Sequence, residues 1–264
     1  MKGYVDFDNP PVVETVLSVS FAPLDGFMSA HIGGFWREIE NEFPKVAERS
    51  PYEMPTERLG APHMPQIAFR VGPLPSKTRS WLISENDERL IQLQSDWFAY
   101  NWRKRVSEYD HYEQGRENFE TYFRKFETYL KEYKLGTVSP TQCEVTYVNH
   151  IATPSGGHGD LADVLTVVNP PGAKEPATEL ESSQLSLSFA LQDAGETFGR
   201  LHATASPSFH EGSPLWILNL TARGVPLGSG LDGVLRFFDE GRKAIVTNFK
   251  ALTTDEMHKR WGLR

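Results

Sequence analysis

Cysteine is almost absent from this sequence. The 264 residues include one, Cys143, so no disulfide can close within the chain, and a reducing compartment is expected. Long apolar runs are missing as well; no stretch approaches the roughly 20 residues of a bilayer-spanning helix. The opening residues include Asp6 and Asp8 where a secretory leader would have its apolar centre. These absences predict a cytoplasmic protein without a membrane segment. They also make Asn219-Leu220-Thr221 an incidental match to the glycosylation sequon. Positive charge is scarce too: 27 Lys+Arg stand against 35 Asp+Glu, a net charge of −8 with a pI near 5.5. Nucleic acid and anionic membranes need clustered cations that displace counterions, so neither is expected as a partner.

Recognisable catalytic motifs are also missing. None of the 8 histidines falls in H-E-x-x-H, and C-x-x-C, G-x-S-x-G and the P-loop pattern do not occur. No metal and no cofactor is therefore expected. Gly228-Ser229-Gly230-Leu231-Asp232-Gly233 does match G-x-G-x-x-G. The residues after it read as helix, with no second parallel strand, so these glycines are expected to turn the chain into that helix rather than to cradle a pyrophosphate. Cys143 lies on a strand, on the side of Val145 and Tyr147, as a small buried hydrophobe would.

What the chain does have is a core's worth of apolar residues: 39% hydrophobic and 12% aromatic. Val13, Thr15, Leu17, Val19 and Phe21 alternate with Glu14, Ser18 and Ser20, which predicts a half-buried strand. Ile32, Phe35, Trp36, Ile39 and Phe43 recur at helical spacing and predict a helix over 27–43, ended by Pro44. Residues 44–78 are rich in proline and predict a long loop holding one short strand at 66–71. Strands are expected at 79–84 and 89–102, then a helix at 112–135 striped by Phe119, Tyr122, Phe123, Phe126, Leu130 and Tyr133. After a strand at 143–151, the turn-rich residues 153–160 mark the best boundary. Strands at 184–191, 198–206 and 215–222 follow, with breaks at Gly195 and at 207–214. Then come a helix at 231–252 and a short one capped by Thr253 or Thr254.

The predicted class is α+β: a curved antiparallel sheet packed by long helices, helix-grip-like, in two similar strand–linker–three-strand–helix halves. The halves are expected at 1–152 and 161–264, packed as one compact unit.

Pro10-Pro11-Val12-Val13-Glu14, Phe35-Trp36, Asn101-Trp102-Arg103, Glu144 with Tyr147-Val148-Asn149-His150-Ile151, and Leu252-Thr253 with Trp261-Gly262 occur in one order along nearly the whole chain. In this the sequence resembles a family of uncharacterised bacterial proteins of similar length, sporadically distributed among genomes. The resemblance implies no agreed activity, cofactor or catalytic residue. Sporadic occurrence implies a regulatory, defence or mobile-locus accessory role that depends on a partner.

The most unusual stretch is Trp97-Phe98-Ala99-Tyr100-Asn101-Trp102-Arg103-Lys104-Arg105, where aromatics meet three consecutive cations. Its ordinary reading is a sheet edge packed on the 112–135 helix. Its functional reading is an interface or ligand contact through Trp97, Tyr100, Trp102, Arg103, Arg105 and, from the helix, Tyr122. The leading expectation is a non-enzymatic protein acting through protein–protein contacts, with another protein or with a second copy of itself as partner. The alternative is a small-ligand binder with an apolar cavity between the sheet and helix 112–135. A third is an enzyme with a dispersed His/carboxylate site drawn from the 153–160 and 208–213 loops and Arg103.

Overall fold

A computed structural model describes residues 7–60, 78–107, 109, 111–154, 156–158, 160–168 and 181–264. The strand expected at 66–71 lies outside them. In chain order the elements are β1 (Val12–Phe21), α1 (Ser29–Arg37), β2 (Lys45–Arg49), β3 (Arg79–Ile83), β4 (Arg89–Gln94), β5 (Trp97–Arg103) and α2 (Tyr112–Glu132). They continue with β6 (Pro140–Ala152), α3 (Leu161–Val164), β7 (Leu185–Asp193), β8 (Glu196–His210), β9 (Ser213–Gly224), α4 (Gly230–Leu252) and α5 (Asp255–Trp261).

Among the described residues, nine antiparallel strands form one sheet in the order β2-β3-β4-β5-β1-β6-β9-β8-β7, so the fold is α+β. β1 and β6 pair at its centre with Leu17 opposite Val145, and β6, which falls inside the first expected half (1–152), pairs on its other side with β9 of the second. β5, the last of the four strands β2-β3-β4-β5, lies against β1, and β9, the last of the three strands β7-β8-β9, lies against β6; β2 stands in the proline-rich segment read as a loop, where Lys45–Arg49 pairs with β3. Antiparallel pairing of β1 with β6 gives the sheet an approximate two-fold form about its centre.

Alternation divides the sheet into two faces. Leu17, Val19 and Phe21 share one with Phe98, Tyr100, Trp102, Cys143, Val145, Leu218, Leu220 and Ala222, all buried. The helices cover this face: α2 lies over β5 and β1, and α4 over β6 and β9. The helical stripe of α2 is packed ring to ring, except for Tyr133, which lies just past the end of the helix and is exposed. Phe126 touches Phe27, Phe35 and Phe98 at centroid distances of 5.3–5.7 Å, and Phe119 meets Phe238 of α4 edge-on at 4.8 Å. Gly34 lets α1 approach α2, since a Cβ there would come within 2.2 Å of the Tyr129 hydroxyl oxygen.

Three expected boundaries differ. The helix read over 27–43 is regular only at Ser29–Arg37. Beyond it the amides of Glu38, Ile39 and Glu42 bond carbonyls three residues back, and the Trp36 indole donates to the Phe43 carbonyl at 2.8 Å, so the stripe winds on as tighter turns. The strand read over 89–102 is a hairpin, with Gln94 opposite Trp97 and a turn at Ser95-Asp96. The Ser95 and Asp96 carbonyls accept the Leu24 and Phe21 amides, which fixes the reversal. The break read at 207–214 is a two-residue turn, with Glu211 at φ +50 and Gly212 at φ +79 between His210 and Ser213. Pro207 is tolerated because β7 reaches only Ala205, and among the described residues no strand pairs with that edge of β8 beyond it.

Gly228 and Gly230 take positive φ, and a Cβ on Gly233 would sit 2.2 Å from the Gly228 carbonyl oxygen, so this glycine cluster folds the chain tightly into α4. Thr254 caps α5, its hydroxyl accepting from the Met257 amide at 3.4 Å. Cys143 is fully buried, which pushes its thiol pKa up. No described helix is long and apolar enough to cross a membrane.

Because Phe126 is the hub of the ring cluster, Phe126→Ala should cost about 3–5 kcal/mol by leaving a cavity. Equilibrium urea unfolding would show it as a lowered midpoint with an unchanged slope, and a loss below about 1 kcal/mol would contradict the packing described.

Candidate functional site

Where the N-terminal segment crosses the end of the sheet, a cavity of about 200 Å³ opens between α4, β6 and the residue before α2. Its apolar wall is Phe7, Val12, Ile245 and Phe249; its polar wall includes Tyr109, Tyr147 and Arg242. Asn149 and His111 complete it, Asn149 with its amide nitrogen held by the Leu218 carbonyl at 3.0 Å. The N-terminal segment forms the lip. The Asp8 and Asn9 amides bond the carbonyls of Gly262 and Trp261 at 3.0 and 2.9 Å, and Phe7 packs on Phe249 and Trp261.

Three phenols surround the one arginine in this lining. Tyr109 donates to the Tyr147 oxygen at 3.0 Å, and Tyr112 donates to Asp239 at 2.7 Å. The Arg242 guanidinium lies over the Tyr112 ring at 5.2 Å. Burial raises all three phenol pKa values. Tyr147 and Asp239 reinforce the rise at Tyr109 and Tyr112, whereas Tyr109 and Arg242 oppose it at Tyr147. All three therefore stay neutral hydrogen-bonding groups. Asp239 pairs with Arg116 at 2.9 Å, and Asp8 on the rim pairs with Arg264. The cavity thus joins an apolar wall to a cation flanked by neutral hydroxyls, a combination suited to an acidic group on an apolar body.

A second polar assembly lies on the sheet face away from the helices. Register places Ser18, Glu144, Arg223 and Arg200 in one row across β1, β6, β9 and β8. Arg223 donates from Nε to Glu144 at 2.6 Å. Residues 50–58, leaving β2, run across this face as a strap. The Gln94 side chain takes both the amide and the carbonyl of Tyr52, at 2.6 and 3.0 Å. Gln142 takes the Glu57 amide at 2.8 Å and the Pro55 carbonyl at 3.0 Å. The Glu57 carboxylate then meets Arg200 at 2.7 Å, Arg223 at 3.6 Å and His202. Burial opposes its ionisation, yet the bonds from His202 and Arg200 and the charge of Arg223 outweigh that and hold its pKa down at about 2.

The candidates read from the sequence do not form one site. β5 is an inner strand between β4 and β1, not an edge. Tyr100, Trp102 and Tyr122 are buried on the helix-covered face, Tyr100 accepting from Asn118 at 3.0 Å. Trp97 is buried on the opposite face beneath Tyr52, with ring centroids 4.9 Å apart. Arg103 pairs with Asp87 at 2.8 Å, and exposed Arg105 reaches the same carboxylate at 3.2 Å. The 153–160 and 208–213 segments do touch: the His158 ring bonds the Ser208 carbonyl at 2.9 Å and packs edge-on against Phe209. Beside them His150 faces His210, in a depression shared with Lys104 and Glu211 that Arg103 does not line. Burial, then the neighbouring His210, lowers the His150 pKa. Among the described residues no group of three or more His, Cys, Asp and Glu is placed to hold a metal ion.

Sequence reading missed Tyr109 and Arg242. The available signal was an arginine in the apolar stripe of α4, between Phe238 and Ile245. No family model, curated protein or solved structure matches the chain.

Glu57 ionises more readily in the folded chain than its ordinary value of 4.5 allows. Its contribution to stability is therefore complete above that value and is lost as pH falls through about 2. Urea unfolding between pH 7 and pH 3 should show a decline of about 2 kcal/mol from this group, largely absent in Glu57→Gln. Equal declines in both proteins would refute this linkage.

Proposed function

We propose that this chain is a non-enzymatic binder of a small molecule that carries one acidic group on an apolar body of one or two rings. It would bind in the cavity between α4, β6 and the N-terminal segment. The observation that carries the reading is Arg242, a cation set among neutral phenols and facing an apolar wall. The body would rest on Phe7, Val12, Ile245 and Phe249, while the acid would pair with Arg242 and accept from phenol or imidazole donors on the rim. The volume suits such a ligand, since a dry cavity of about 150 Å³ takes benzene. This reading moves the ligand site from beneath the 112–135 stripe, whose rings pack on one another, to the N-terminal end of α2. It includes a cytoplasmic setting, drawn from the single thiol, and membership of the sporadically distributed bacterial family that the sequence resembles. A role in protein contacts is the second reading, favoured by the strap-covered sheet face.

Aromatic and short-chain carboxylic acids, screened beside their neutral amides by thermal shift and NMR titration, test the proposal. An acid should raise the Tm and perturb the Tyr147 and Val246 resonances, and its amide should not. Arg242→Met should melt cooperatively and bind that acid at least about 30-fold more weakly. Amides binding as well as acids, or no acid binding at millimolar concentration, would overturn the reading.

A further inference from the structure

We propose that the polar face of the sheet is a docking groove for an extended acidic segment of a protein partner, and that residues 51–58 of the chain occupy it as an internal stand-in. The groove holds backbone in a way that ignores side-chain identity. Gln94 and Gln142 each bind one strap amide and one strap carbonyl, as a neighbouring strand would. Selectivity comes from two positions. An aromatic ring lies on Trp97, and five residues later a carboxylate enters the cluster of Arg200, His202 and Arg223. A carboxylate is needed there on charge grounds. Without Glu57, the guanidiniums of Arg200 and Arg223 and the His202 ring would lose the carboxylate they share.

The strap is built to be exchanged. No residue from 50 to 60 is fully buried, so its docking draws little on apolar burial. A competing backbone can replace the contacts of Gln94 and Gln142 at small net loss, and a competing carboxylate can replace that of Glu57. A partner's segment in trans would meet the same contacts, and its apparent affinity would be reduced by the fraction of time the strap is docked.

The test uses a fluorescent peptide of residues 50–60 added to the full-length chain. Glu57→Lys places a cation against Arg200 and Arg223 and should release the strap. Peptide affinity should then rise roughly tenfold to a hundredfold over that of the unaltered chain. A peptide with glutamine in place of Glu57 should lose most of the gain, and added salt should weaken binding. A cooperatively melting Glu57→Lys chain that binds the peptide no better than the unaltered one would overturn the proposal, as would equal binding of the glutamine peptide. Should Glu57→Lys fail to fold, amide exchange in the unaltered chain decides. Tyr52 and Glu57 amides opening well ahead of the β1–β6 ladder would support a removable strap; exchange at the ladder's rate would show a fixed one and end the proposal.

Discussion

The pairing of β1 with β6 is the constraint on which the rest of the molecule depends. It links the strands that end in β5 to those that begin at β9, so neither set keeps a free inner margin and both long helices must pack on the same side. Once Leu17 stands opposite Val145, alternation commits every neighbouring strand. A shift by one residue would turn Glu144 and Ser18 into the aromatic core and expose Val145 and Val19.

The two faces then solve burial differently. Beneath the helices, phenylalanines from α1, α2, α4 and β5 fill the space with offset and edge-on rings, and no polar partner is required. On the opposite face the alternation delivers Glu144, Arg200, His202 and Arg223, and burying such groups is unfavourable unless each is paired. The strap supplies the missing carboxylate and shields the row from water. The phenol-lined cavity follows a third arrangement: it lies at the margin of the sheet, where the N-terminal segment, fastened to α5, closes over the second half of α4.

Much of this architecture was legible because burial periodicity is local. The alternation of residues 13–21 and the stripe of α2 each carry their own face assignment, and both elements stand where that pattern puts them. The β4–β5 turn was not legible, because Leu93 and Phe98 face the same side on either flank of Ser95-Asp96 and mimic one continuous strand. The cavity was hidden for a different reason. Tyr109, Tyr147 and Arg242 come from three elements, and only an arginine within an apolar stripe hinted at their meeting. Likewise Pro51 and Pro55 announce an irregular segment, but nothing local to them reveals that Glu57 finds its partners on β8 and β9.

Tyr52 covering Trp97 has one more consequence. That indole is 4% exposed, and on its outer side the strap ring is the lid. Trp102 and Trp216 sit inside the core and would keep their dry surroundings whatever the strap does. Lifting residues 51–58 would therefore wet Trp97, shifting its emission to the red and opening it to acrylamide quenching. The chain carries its own optical gauge of whether this face is covered.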